Sequence, residues 1–136
     1  MSNDTRQVAL DFIQKIEARH FLDAFSKLAA DGIYIVIGKT PASRVYHGRQ
    51  DVFDNLVPVL STFIEAPVLK FQDPIVDGDR VVMLASGKGV GPTGPYDQPY
   101  YAFSAKVRGN EFSEITEFMD TAMLETAVFG KKLVDA

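Results

Sequence analysis

Asp77-Gly78 and Gly109-Asn110 constrain this chain more than any other feature. Each is a short turn signal between β-rich runs, because Gly and Asn reach the left-handed backbone angles that a tight hairpin needs. Strands joined by such turns pair antiparallel. The runs fall over residues 67–76, 79–90, 98–107 and 111–119. Pro74 marks an edge or a break in the first, since proline has no N–H to offer a strand ladder. A loop over 91–95 joins the second to the third.

The first half reads differently. Val8, Ala9, Phe12, Ile13 and Ile16 recur at helical spacing over 4–19. Asn3 or Asp4 offers an N-cap, with Gln7 placed for a capping box. Phe21, Leu22, Phe25, Leu28 and Ala29 carry the apolar face into a second short helix, which Asp31-Gly32 should end. Residues 33–37 form a β-rich run, and 39–43 a polar loop. A third helix is expected over 48–63, with Asp51 as a first-turn acid and Pro58 kinking or shortening it. Residues 122–129 make a short C-terminal helix or turn stopped by Gly130. The order is ααβαββββ with a helical tail. Helices grouped on one side of an antiparallel sheet define an α+β class. No linker or repeat divides residues 1–136, so the chain is read as one domain, long enough to bury a core without covalent staples.

Several function classes drop out. With no cysteine there are no disulfides, Cys–zinc sites or Cys nucleophiles, which fits a reducing, cytoplasmic setting. A formal charge of -4 and no long basic block argue against nucleic acid as a partner. No basic start followed by an apolar core marks a signal peptide, and the longest nearly apolar run, 33–37, is far short of a membrane span. No membrane partner is expected. His20 and His47 form no H-x-x-x-H pair, and no metal site is expected. Gly89 to Gly94 spells G-x-G-x-x-G, but Pro95 and a strand follow where a dinucleotide site needs a helix. Gly38-Lys39-Thr40 ends like a phosphate-binding loop, yet Gly32 stands at the wrong spacing.

A family resemblance lies mainly in the C-terminal third. The residues are Tyr96-Asp97-Gln98-Pro99-Tyr100-Tyr101, Phe103, Val107-Arg108-Gly109-Asn110-Glu111-Phe112, Glu117-Phe118-Met119-Asp120-Thr121 and Phe129-Gly130. They resemble the SnoaL-like branch of the nuclear transport factor two (NTF2) and ketosteroid isomerase superfamily, whose chains show Y-N-x-x-Y and E-Y-x-D-T at these places. Asp97 departs from the Asn, and the turn at 109–112 is reordered. The resemblance implies a cone: a curved antiparallel sheet around N-terminal helices, open on an apolar pocket. It also implies a homodimer through the outer sheet face. Activities vary widely on this fold. Ketosteroid isomerases carry a base carboxylate in the strand after the second helix. Residues 33–37 have no acid there, so steroid isomerisation is not expected.

A carboxylate in such a pocket loses hydration, and its pKa rises towards neutrality. The resemblance makes Asp120 the first catalytic candidate, the acid of E-x-x-D-T. The same Asp before a short helix is equally a good N-cap. In a regular strand Glu117 would face away from Asp120, so parity leaves open which of the two reaches the pocket. Tyr34, Tyr46, Tyr101, Phe103 and Glu117 are the candidate substrate-binding residues. Alternation sets Tyr101, Phe103, Ala105 and Val107 on one face of their strand. The expected function is general acid/base isomerisation or cyclisation of a hydrophobic carbonyl or polyketide-like compound, without cofactor. The alternatives are a non-catalytic binder of a small hydrophobic ligand and a structural dimerisation module.

Overall fold

The protein, represented by a computed structural model, is described over residues 2–136. Helix α1 (Ser2–Glu17) leads directly into α2 (Phe21–Phe25). Strands β1 (Leu28–Val36) and β2 (Arg44–His47) follow, then a helical stretch made of α3 (Arg49–Asp51), a π-helical turn at Val52–Leu56, and α4 (Val57–Ser61). The second half holds β3 (Glu65–Phe71), β4 (Ile75–Asp77), β5 (Arg80–Gly91), β6 (Gly94–Arg108), β7 (Glu111–Phe118) and α5 (Thr121–Ala127). The strands form one curved sheet in the order β2-β1-β7-β6-β5-β3, with β4 on β5. Every pairing is antiparallel except β1 with β7. The expected α+β cone is therefore present, extended by two short strands, β2 and β4.

α1 lies on the concave face because its apolar stripe has nowhere else to go. Val8, Ala9, Phe12, Ile13 and Ile16 are all buried, and burying each of the four larger side chains is worth roughly 1.5–3 kcal/mol. Phe12 meets the rings of Phe25, Phe103 and Phe112 edge-on at 5.4–6.3 Å. Polar tethers fix the helix lengthwise: Thr5 Oγ1 donates to the Gly78 carbonyl (2.8 Å), Arg6 to Asp73 (2.6 Å), and the Phe71 N–H to Glu17 (2.9 Å). The capping residue Asn3 lies outside the described side chains. Asp4 sits within the first turn, and the Gln7 amide donates to Asp11 (3.0 Å) rather than closing a capping box.

Two boundaries differ from the sequence reading for identifiable reasons. The second helix stops at Phe25, and Leu28 and Ala29 already belong to β1. Asp31-Gly32 lies inside that strand, where the pairing with β7 shifts register between Leu28 and Ile33. The turn-forming pair thus marks a bulge in place of a helix stop. Pro58 lacks the N–H its helix would use, and the wide π turn immediately before α4 accommodates it.

The loop expected over 91–95 is a tight hairpin, with Gly91 opposite Gly94. A Cβ on Gly91 would stand 2.2 Å from the Ala127 carbonyl oxygen. The missing side chain lets α5 close onto the turn, where the Thr93 N–H (3.0 Å) and Oγ1 (2.6 Å) bind the carbonyls of Ala127 and Thr126. The glycine-rich letters serve helix docking.

Candidate functional site

The concave face of the sheet encloses a cavity of about 70 Å³, closed by α2, the π turn, α4 and α5. That is several times the roughly 10–15 Å³ one water requires. Ile16, Val36, Leu56 and Leu69 give it aliphatic walls, and Phe25, Phe63 and Phe103 give it aromatic ones. Four polar side chains reach it: Tyr34 on β1, Tyr96 and Tyr101 on β6, and Glu117 on β7. Glu117 is the only lining residue with a formal charge.

Strand parity puts Glu117 there. Ile115, wholly buried, and Glu117 are two apart on β7 and share the inner face. Glu117 pairs with Phe103 on one side and Val36 on the other, so both neighbouring strands present apolar side chains next to it. The Tyr34 hydroxyl donates to Glu117 Oε1. Burial strips the carboxylate of water and raises its pKa to about 7, against the opposing pull of the Tyr34 hydrogen bond. At neutral pH the group is poised between its two protonation states, the condition for efficient general acid/base work.

The tyrosines stay protonated at neutral pH and act through hydrogen bonds. Burial raises Tyr34 well above its ordinary value, with the Glu117 charge adding to it. Tyr101 is raised in the same way by burial first, then by the neighbouring Tyr96 and Glu117. Burial holds Tyr96 at about 12. The Tyr96 and Tyr101 hydroxyls meet at 2.5 Å. These two residues are an odd number apart, and regular alternation would set them on opposite faces. A register shift between Ala85 and Gly87 of β5 restores them: Ala85 faces Tyr101 while Gly87 faces Gln98. β6 holds one extra residue there, around Pro99, and both phenols turn inward.

Of the residues singled out from the sequence, Tyr34, Tyr101, Phe103 and Glu117 line the cavity together. Tyr46 is buried opposite Tyr34, but its hydroxyl donates to the Ala42 carbonyl (2.6 Å) and it is not among the lining residues. Its ring carries the Arg44 guanidinium at 4.1 Å. Asp120 is exposed at the head of α5. Its carboxylate accepts from the N–H groups of Ala122 (3.0 Å) and Met123 (3.4 Å), the geometry of an N-cap. Two residues escaped the sequence reading. Tyr96 was hidden by the bulge, for which Pro99 inside a strand was the available signal. Gln98, fully buried, clamps the Asp120 backbone: its Nε2 donates to the carbonyl (2.8 Å) and its Oε1 accepts from the N–H (2.9 Å).

Among the described residues no group of three or more His, Asp or Glu stands together as metal ligands would. Among them, too, no helix is long and apolar enough to cross a membrane.

No protein-family model matches the chain, and no curated protein matches it in sequence. Solved structures do match in shape. An NTF2-like protein of unknown function from Burkholderia pseudomallei K96243 superposes with a TM-score of 0.79 at 16% identity, covering 92% of this chain and 97% of that one. A putative SnoaL-like polyketide cyclase from Jannaschia sp. CCS1 gives 0.75 at 15% identity, over 96% and 95% of the two chains. A hypothetical protein with a ketosteroid isomerase-like fold from Catenulispora acidiphila DSM 44928, in complex with trimethylamine, gives 0.70 at 18%, over 90% and 92%. The fold of this chain is the NTF2-like fold.

Proposed function

We propose that this protein is a cofactor-free acid/base enzyme acting on a small hydrophobic carbonyl compound, with Glu117 as the catalytic group. One observation carries this reading: a single carboxylate lines an apolar cavity, where loss of water pushes its pKa up to about 7. The ionised carboxylate takes a proton from the carbon next to the substrate carbonyl. The C–H electron pair moves into the developing C=C bond, and the carbonyl becomes an enolate. Tyr96 or Tyr101 donates a hydrogen bond to the enolate oxygen, since neither phenol ionises at neutral pH. Where the compound carries a C=C bond β,γ to the carbonyl, Glu117 returns the proton at the γ-carbon, the electron pair shifts along the conjugated enolate, the carbonyl re-forms, and the double bond has moved. Alternatively, the enolate carbon attacks a second carbonyl of the same compound, the new alkoxide takes the proton back from Glu117, and a ring is closed. Asp120, first in line from the sequence, is assigned the helix cap in this reading.

Binding without turnover is the second reading. It is favoured by the satisfaction of the site's polar groups within the protein, Glu117 by Tyr34 and Tyr96 by Tyr101. The complex of one structural neighbour with trimethylamine supports a small-molecule role in either case. We also propose a homodimer through the outer sheet face, on which Tyr100 (86% exposed) and Phe118 (42%) present apolar surface.

Solvent-deuterium exchange at the α-carbon of simple apolar ketones, followed by proton NMR, tests the reading directly. Native protein should accelerate exchange, and Glu117→Gln should lose about 10²–10⁴-fold of it. Asp120→Asn should keep the rate. Ketone binding with no exchange by the native protein would leave the second reading.

A further inference from the structure

The cavity is small for the role just proposed. At about 70 Å³ it falls below the roughly 300–1,000 Å³ of ordinary small-molecule sites. Next to it lies a second space, a groove of about 650 Å³ open to solvent between the α1–α2 corner and α4. Phe21 and Leu60 line both. These two partly buried side chains are therefore the wall that separates inside from outside.

That wall belongs to weakly held elements. α2 has only five residues, far below the roughly 12–15 at which a helix begins to hold itself together, and α4 is the terminal turn of the helical stretch over 49–61. α4 follows directly on the π turn, a widened helical geometry found often at functional sites. At the other side of the groove, Arg19 stands in the turn just after α1 with φ +62°. The Arg19 and His20 N–H groups return to the Ile16 and Lys15 carbonyls (2.9 Å each), a corner in which glycine is usual. A non-glycine residue is kept in a strained backbone position at the groove rim. Tyr101 and Met119 separate the cavity from another depression, but they stand on or beside hydrogen-bonded strands, and Tyr101 is fixed by Tyr96. The wall that can yield is the helical one.

We propose that the ligand occupies both spaces: an elongated apolar carbonyl compound whose carbonyl end lies at Glu117, whose chain passes between Phe21 and Leu60, and whose far end rests in the groove beside Leu22 and Ala66. This rests on the carbonyl reading of the cavity. Leu22 is 58% exposed, an apolar side chain that such a chain would cover. The groove then sets chain-length specificity, and the cavity sets the chemistry.

The test is an amide NMR titration of the full chain with methyl propyl, methyl hexyl and methyl nonyl ketone. Affinity should keep rising by roughly fourfold per methylene through the nonyl compound, because each buried methylene leaves water. Only the longer ketones should shift the Leu22, Asp23 and Ala66 amides. Ser61→Trp and, separately, Ala66→Trp fill the groove from residues outside the cavity lining. Each should weaken the nonyl ketone at least tenfold and leave the propyl ketone as it was, with the dispersed spectrum showing an intact fold. A chain-length gain that stops at hexyl, or variants that weaken all three ketones equally, would overturn the two-space site while leaving the cavity reading intact. If even the propyl ketone leaves the cavity amides unmoved, the carbonyl reading fails and this inference with it.

Discussion

Glu117→Gln should stabilise the protein at pH 8 while removing its chemistry. A buried carboxyl whose pKa is raised from 4.5 to about 7 binds its proton more tightly folded than unfolded. Between those two values the native state holds more protons than the unfolded state, so stability falls as pH rises through this window. Above pH 7 the full penalty is present, about 3 kcal/mol from the size of the shift. Glutamine keeps the shape of the neutral acid, and its carbonyl still accepts from Tyr34. The variant should match the native protein near pH 4, exceed it by about 3 kcal/mol at pH 8, and show a flatter stability profile between. Urea unfolding at several pH values reads this out. Equal profiles for the two proteins would mean that Glu117 has an ordinary pKa. A protein that gains stability by losing its one cavity charge has kept that charge for a reason other than folding.

Gln98→Leu should be strongly damaging although Gln98 does not line the cavity. The Gln98 side chain acts as a strand partner for a residue that has left the sheet, satisfying both the N–H and the carbonyl of Asp120. Leucine fits the space approximately but leaves the Asp120 N–H without a partner and its carbonyl with only the long bond from the Leu124 N–H (3.4 Å). The orphaned N–H costs about 1–3 kcal/mol where buried and the lost bond to the carbonyl about 1 kcal/mol more, and the site is partly wet, so a total loss of about 2–3 kcal/mol is expected. The melting temperature should drop by about 10 °C in a domain of this size. The consequence reaches the cavity, because Met119 and Leu124 flank the clamped residue and line its wall. Thermal unfolding followed by circular dichroism decides it, and a shift under about 2 °C would show that water replaces the clamp.

The fold was legible where local patterns decide structure. The stripe of α1 was readable from periodicity, as was the inner face of β6 from Tyr101 to Val107, because burial follows a 3.6- or 2-residue rhythm. The hairpin at Gly109-Asn110 was readable for the same local reason, since Gly109 takes the positive φ (+67°) that the turn needs. What local patterns do not encode was harder. The parallel pairing of β1 with β7 joins segments about eighty residues apart and leaves no turn signal. Asp31-Gly32 has the chemistry of a helix stop, and only the long-range register with β7 makes it a bulge. At the site, the face of Tyr96 depended on one extra residue near Pro99. The choice between Glu117 and Asp120 depended on where β7 ends. It ends at Phe118, which puts Glu117 on the sheet's inner face and releases Asp120 to cap α5.

Acid/base chemistry in this cavity stands or falls on Glu117 titrating near neutrality. A carbon-13 NMR titration of the protein labelled at glutamate Cδ measures this, with the signal assigned by its loss in Glu117→Gln. One glutamate signal, that of Glu117, should show a midpoint near pH 7. A Glu117 signal that titrates near 4.5, with the ordinary glutamates, would contradict it and remove the basis for acid/base chemistry in this cavity.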